Sequence, residues 1–380
     1  MDAKTINFAR ESDPSDAFVS RQMMLAEGRR DDNHLTFIEL GVTSACNLKC
    51  AYCGEFENPI YASRHAATRD ISDVIRALDE LDTLRIISIT GGEPLLSEPI
   101  IRNIVLPVLE FANTKGVYTQ INSNLVVPEK HLELVAGRVS IIHTSINFFD
   151  AETFGATALP GHSNGATQRL FEQLCGNFRM VADSPTALTA ETLLYSSTLD
   201  RLGRINHLLA AWGADRQELQ VPFPTKNPQF RLPTMDELLS HLAAFIKARD
   251  QDLLVQLDCA PVWPCIADAR QQQLLSELES APNLLIRSCP DGRSRLNLNL
   301  DGEVRVTDFA ETDPLGNIKL ASLVEIFDAW KASSLYRDYN CTCDARCLGP
   351  CLLLANAYYP GWSSAANRQV VQEQLLKGTA

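Results

Sequence analysis

From Leu35 onward the chain repeats one pattern, in which short apolar runs alternate with amphipathic stretches at nearly constant spacing. The runs Phe37–Val42, Ile86–Thr90, Val117–Asn122, Ser140–Ile146, Ala187–Leu194 and Glu218–Pro222 read as strands. Between them, segments near 71–81, 99–114, 128–136, 166–182 and 200–212 place apolar residues three and four apart, as in Val74, Ile75, Ala77, Leu78 and Leu81. That is the period of a helix. Strands alternating with helices need crossover connections and therefore a parallel sheet. Six such units predict an α/β fold, a partial (β/α)6 TIM-like barrel whose active face lies at the carboxyl ends of its strands.

The first strand runs into Cys46-Asn47-Leu48-Lys49-Cys50-Ala51-Tyr52-Cys53, three cysteines in eight residues spaced C-x3-C-x2-C. Three thiols so close cannot all pair as disulfides. One loop can instead wrap three corners of a cubane iron–sulfur cluster, leaving one iron without a protein ligand and open to bind and reduce something. A zinc knuckle lacking its fourth ligand is the alternative reading of the same spacing. The second strand delivers Gly91-Gly92-Glu93-Pro94 to the same rim, where two glycines let the backbone come very close to a ligand and a carboxylate can accept from an ammonium group. Asn122-Ser123-Asn124, Ser145-Ile146-Asn147 and Glu191-Thr192 follow at the next strand ends.

Net charge is −13, from 34 basic and 47 acidic residues, which argues against a general grip on nucleic acid. No apolar run reaches the roughly 18 residues a membrane span needs. The beginning, MDAKTINFARESDPSDAF, has no apolar core and reads as no signal peptide, so a cytoplasmic location is expected. In that compartment eleven cysteines rarely mean disulfides. Cys175 lies alone in a helical run and reads as buried core, whereas Cys259, Cys265, Cys289, Cys341, Cys343, Cys347 and Cys351 form a second group, which implies a second metal-binding region.

The cysteine loop and the glycine turn together resemble the signatures of the radical S-adenosylmethionine (radical SAM) superfamily, CxxxCxΦC and GGEP, with Tyr52 at the aromatic position. The resemblance implies a [4Fe–4S] cluster held by Cys46, Cys50 and Cys53, whose open iron is chelated by the amine and carboxylate of SAM. It implies that Gly91, Gly92, Glu93 and Pro94 hold the amine side, with Ser123, Asn124, Ser145 and Asn147 as candidates for the ribose and carboxylate. One electron, from a flavodoxin- or ferredoxin-type donor, would cleave SAM to a 5′-deoxyadenosyl radical that abstracts a hydrogen from a small molecule or short peptide.

The later cysteines resemble SPASM and twitch extensions, which carry auxiliary [4Fe–4S] clusters. Seven is the SPASM count, but C-x-C-x3-C-x3-C replaces the usual spacing, and Thr307 and Asp308 stand where a cysteine is expected after the hairpin Arg295–Leu300 and Glu303–Thr307. At least one auxiliary cluster is implied, on Cys265, Cys341, Cys343 and Cys347, with Cys351 and Cys289 as alternates; a structural zinc site is the other reading. The stretches Ile89–Ser97, Thr119–Leu125, Pro290–Asn297 and Arg346–Pro350 are similar to the bacterial YfkAB-type group, from about residue 35 to 360.

The expected organisation is an N-terminal arm (1–34), a radical SAM partial barrel (35–230), and a bridging segment with an auxiliary-cluster domain (231–380). Within the last part, helices at Met235–Arg249, Ala267–Leu278 and Leu320–Ser334 and a strand at Leu253–Leu257 are expected. Arg293, Arg295 and Asp308 are candidates to line a substrate cavity, Glu191 and Lys226 are rim charges able to serve SAM or substrate, and His143 reads as a satisfied core histidine. The competing functions are a radical epimerase or isomerase that uses a C-terminal cysteine as hydrogen donor, and a non-catalytic iron–sulfur redox sensor. An intact GGEP weighs against the sensor, which has no need of an ammonium-binding turn.

Overall fold

The computed structural model describes residues 34–53, 70–221, 233–258, 267–286, 290–307, 313–334 and 336. The second cysteine group (Cys259, Cys265, Cys289, Cys341, Cys343, Cys347 and Cys351) lies outside the described residues, as do Lys226, Asp308 and residues 1–33.

Among the described residues eleven strands form one sheet. They are β1 (Phe37–Gly41), β2 (Ile86–Thr90), β3 (Tyr118–Asn122), β4 (Ile141–Ser145), β5 (Ala187–Leu193), β6 (Arg216–Gln220), β7 (Leu254–Asp258), β8 (Leu284–Ile286), β9 (Arg295–Asn299), β10 (Glu303–Arg305) and β11 (Gly316–Asn317). Their order is β11-β10-β9-β1-β2-β3-β4-β5-β6-β7-β8. All neighbours from β9 to β8 are parallel, and β10 and β11 add antiparallel strands at one edge. The six expected strands are all present, within one or two residues at their ends. Residues after 231 do more than bridge: β7 and β8 extend one edge, and the β9–β10 hairpin pairs with β1 at the other.

Among the described residues the helices are α1 (Ser72–Asp79), α2 (Glu98–Ile100) running through a π-helical turn (Ile101–Val105) into α3 (Leu106–Lys115), α4 (Glu129–Glu133), α5 (Ala151–Ala158), α6 (Asn164–Ala182), α7 (Ser196–Leu199), α8 (Leu202–Trp212), α9 (Met235–Ala248), α10 (Ala269–Glu279) and α11 (Leu323–Ala332). Side chains alternate across each strand. One set (Ile38, Leu40, Ile87, Ile89, Ile121, Ile142, Leu188, Leu219, Val255, Leu296, Leu298) joins helix residues such as Leu78, Ile104, Val108, Phe178 and Leu209 in the main core.

The opposite face is layered. The strands begin on it with Phe37, Ile86, Ile141, Ala187 and Leu254, which form a separate apolar floor against Tyr118 and Leu285. Two residues further along each strand the face turns polar, with Glu39, Ser88, Gln120, His143, Thr189, Glu218 and Gln256. The floor closes one end of the sheet's inner face and the polar rim marks the other. Ligands of α/β sheets bind at that carboxyl end.

Cys175 is half-buried rather than core. The buried stripe of α6 runs through Leu174, Asn177, Phe178 and Val181, and Cys175 sits about 100° away from Leu174 around the helix.

Candidate functional site

The cysteine loop leaves β1 at Thr43 and is fixed from both sides. Toward β2, Thr43 O accepts from Gly92 N–H and Ala45 O accepts from Glu93 N–H at 2.9 Å. The loop and the glycine turn touch backbone to backbone: a Cβ on Gly91 would lie within 2.3 Å of Thr43 O, and one on Gly92 within 2.4 Å of Ala45 O. Gly91 also has φ +136°. Both positions therefore require glycine for contact with the cysteine loop, in addition to any ligand.

On the other side the loop is held by α5. Lys49 N–H and Ala51 N–H donate to Ala158 O and Thr157 O at 3.3 and 2.8 Å, satisfying carbonyls that a helix end leaves open. The helix starts in a capping box between Asp150 and Thr153. It is anchored by Phe154 against Phe148 and Phe171, and the Phe171 ring in turn meets Trp212 of α8. Sequence reasoning missed α5, since AETFGATA carries a glycine and two threonines; the Asp150–Thr153 spacing was the available signal.

Cys46 is exposed, and Cys50 and Cys53 are half-buried. Cys46 feels the charge of Cys53, Cys50 feels those of Cys53 and Cys46, and Tyr52 is hydrogen-bonded to Cys50 and to Asn147. Although Cys46 as a residue is exposed, desolvation of its sulfur, reinforced by the Glu93 and Cys53 charges, pushes the thiol up to about 11, and burial pushes Cys50 up to about 12. Metal binding must therefore displace protons from these thiols. Among the described residues no three His, Cys, Asp or Glu side chains converge as a single-ion site.

Glu93 is wholly buried, and its carboxylate is closed by protein donors: Leu95 N–H at 2.9 Å, Asn124 N–H at 2.8 Å and the Ser123 side chain. Burial pushes this carboxyl up to about 7 against those donors. Its visible work is to tie the turn after β2 to the turn after β3. In that second turn Asn124 Nδ2 donates to Asn47 Oδ1 at 2.9 Å and to Cys46 Sγ at 3.6 Å, while its Oδ1 accepts from Val126 N–H at 2.7 Å. Asn47 Nδ2 completes the circuit on Val126 O at 2.6 Å. Three strand ends are thus locked together at the cysteines.

The remaining candidates sit on the same rim in different settings. Ser123 is buried and its Oγ accepts from Leu125 N–H at 3.2 Å. Asn147 is buried and its Oδ1 accepts from Leu193 N–H at 2.7 Å. Ser145 is half-buried and donates to Glu191 Oε1 at 3.4 Å. Glu191 also takes Gln220 Nε2 and lies 3.8 Å from His143 Nε2, whose Nδ1 meets Thr189 Oγ1 at 2.7 Å. Arg295 is clamped by Asp291 and Glu39 above the Phe37 ring, near the floor rather than the rim, and Arg293 is buried beside it in the chain. A second ion pair, Arg216 with Glu218 at 3.0 Å, is completed by Gln256 on Arg216 at 2.8 Å. Thr43, Asn47 and the carboxyl end of α5 support the loop without being readable as site residues from sequence, and Asn177 Nδ2 holds the turn after β3 through Leu125 O and Val127 O at 2.8 and 2.7 Å.

With that geometry in view, relatives are informative. A sequence profile of the Radical SAM superfamily matches residues 40–192, and one of the YfkB-like domain matches residues 227–369. The protein YfkA of Bacillus subtilis (strain 168) is 33% identical over 336 residues, covering 86% of this chain and 90% of that protein. The PqqA peptide cyclase of Rhodopseudomonas palustris is 23% identical over 80% of this chain and 75% of its own length. In fold, the crystal structure of Streptococcus suis SuiB bound to S-adenosylmethionine is similar at TM-score 0.58 and 14% identity, over 90% of this chain and 77% of that one. A radical SAM region joined to a YfkB-like region, at this identity to YfkA over nearly the whole length, places the chain in the YfkAB-type group of the radical SAM superfamily.

Proposed function

We propose that this chain binds a [4Fe–4S] cluster on Cys46, Cys50 and Cys53 together with SAM, and abstracts a hydrogen from a small molecule or short peptide. The observation that carries this reading is the backbone lock between the two motifs, Gly92 and Glu93 N–H on Thr43 O and Ala45 O. It presents the cysteines and the glycine turn as one surface at the carboxyl ends of β1 and β2. Membership of the radical SAM superfamily also favours a cubane, in which each thiolate binds a different iron, over zinc.

When bound, the cluster and SAM supply one-electron reductive cleavage to a 5′-deoxyadenosyl radical. The protein's own part is placement. Gly91, Gly92, Glu93 and Pro94 line the amine side, and the half-buried Ser145 is more accessible to a ribose or carboxylate than the buried Ser123 and Asn147, while the Asn124 carboxamide is taken up by Asn47, Cys46 and Val126. The apolar floor formed by Phe37, Ile86, Ile141, Ala187 and Leu254 excludes water from one end of the inner face. The polar rim of His143, Glu191, Glu218 and Gln220 holds substrate near the reacting carbon. A peptide substrate is favoured by the likeness to the PqqA peptide cyclase. The C-terminal cysteines, on this reading, hold at least one auxiliary [4Fe–4S] cluster through Cys265, Cys341, Cys343 and Cys347, with Cys351 or Cys289 as alternates.

The test is anaerobic reconstitution followed by dithionite and SAM. Wild type and Cys175→Ala should yield 5′-deoxyadenosine, whereas Cys53→Ala should yield none. Iron counting should give about eight atoms for one auxiliary cluster and about four for none. A fully loaded, reducible protein that makes no 5′-deoxyadenosine would overturn the reading.

A further inference from the structure

Asn124 stands at the carboxyl end of β3, and its polar groups are committed within the site. Its main-chain N–H is taken by Glu93 Oε2 at 2.8 Å, and its Oδ1 holds Val126 N–H at 2.7 Å. The main chain of Asn124 is therefore fixed by the glycine-turn glutamate, and its carboxamide plane by its own turn. What that plane aims outward is Nδ2, whose two hydrogens point at Asn47 Oδ1 (2.9 Å) and Cys46 Sγ (3.6 Å). The same sulfur receives Leu48 N–H at 3.4 Å.

As a thiol, Cys46 turns its own hydrogen toward Asn47 Oδ1, at 3.9 Å. A metal-bound cysteine has lost that hydrogen and can only accept. The contact from Asn124 then becomes a charge-assisted hydrogen bond to a thiolate, the stronger kind. Donors to cluster sulfurs stabilise the electron-rich reduced state and so raise the reduction potential.

We propose that Asn124 is a positioning residue that sets the potential of the SAM-binding cluster through Cys46, and that Glu93 aims it. The carboxylate of the glycine turn thus acts on the cluster through one intervening residue, in addition to any contact with the amine of SAM. The proposal rests on Cys46, Cys50 and Cys53 being the cluster ligands, as argued above.

Two variants separate tuning from scaffolding. Asn124→Asp keeps an oxygen for Val126 N–H and nearly the same shape, but replaces the Nδ2 donor by negative charge beside the sulfur. Asn124→Leu removes donor and acceptor together without adding charge. In reconstituted full-length protein, the midpoint potential of the cluster whose EPR signal changes on adding SAM should fall in both, further in Asn124→Asp. An unmoved potential in variants that still load iron overturns the proposal. So does reduced iron loading with the bound cluster at the wild-type potential, because that outcome makes Asn124 purely structural. A wild-type protein with no SAM-responsive signal would instead sink the cluster assignment itself, so the two failures are distinguishable.

Discussion

The main-chain N–H of Asn124 meets Oε2 of Glu93 at 2.8 Å, so a carboxylate placed by β2 is capped by the turn that follows β3. The other oxygen is occupied by Leu95 N–H, and the side chain has no exposed surface.

This burial makes Glu93 a pH-dependent element of stability. Desolvation raises its carboxyl from 4.5 to about 7, while the backbone donors pull the other way and lose. An acid with a raised folded-state pKa binds more protons folded than unfolded between those two values. Its contribution is complete below about 4.5 and is lost as pH rises through about 7. At about 1.4 kcal/mol per unit, the loss is on the order of 3 kcal/mol. In cluster-free protein, the stability gap between wild type and Glu93→Gln, measured by urea denaturation, should narrow by roughly that amount from about pH 4.5 to about pH 8. The carboxamide of the variant cannot titrate, so a gap that stays constant over this range would show the carboxyl to be unshifted.

Gly92→Ala should damage the site more than the fold. The added methyl would lie 2.4 Å from Ala45 O and 2.7 Å from Ser44 O, both main-chain atoms one and two residues before Cys46. Neither can rotate away as a side chain would, so the loop must move by a fraction of an ångström or more. Displacements near 1 Å at a reacting centre lower rates about 100-fold. SAM cleavage should fall by about that factor in protein whose thermal transition is shifted only slightly. Wild-type cleavage in this variant would mean that the close approach of the two loops has no catalytic consequence.

Much of this arrangement was legible in the residues themselves. The six βα strands could be placed because apolar runs such as Ile86–Thr90 sit between helical patterns, and the site because its motifs fall at strand ends. The rest needed three dimensions. The sequence of the hairpin at Arg295 gives no sign that Phe37 pairs with Arg295 in parallel, since both faces of that strand read simply as Leu alternating with Asn. The glycine turn could be read as room for a ligand, whereas the carbonyls of Thr43 and Ala45 fill the space above it. Asn47 occupies an unspecified position inside the cysteine motif, and only its bonds to Val126 and Asn124 reveal its part. Asn177 carries one signal readable from sequence, a polar residue on the otherwise apolar stripe of Leu174, Phe178 and Val181.

That residue carries the last prediction. Leu125, next to Asn124, has φ +58° and is fully buried, a left-handed conformation that costs a non-glycine residue roughly 1–2 kcal/mol. Its carbonyl is held by Asn177 Nδ2 at 2.8 Å, and the same nitrogen reaches Val127 O at 2.7 Å. Val127 O has a second donor in Gln173 Nε2, also at 2.7 Å, whereas no other donor to Leu125 O is seen among the described residues. Asn177→Ala therefore strands a buried carbonyl at the strained position and should lower stability by about 3 kcal/mol in urea denaturation. Gln173→Ala leaves Val127 O with Asn177 and should cost about 1 kcal/mol or less. If the turn is what holds Asn124 against Cys46, Asn177→Ala should also slow SAM cleavage at temperatures where it remains folded, and Gln173→Ala should not. Equal losses of stability in the two variants would mean that the left-handed turn keeps its shape without Asn177.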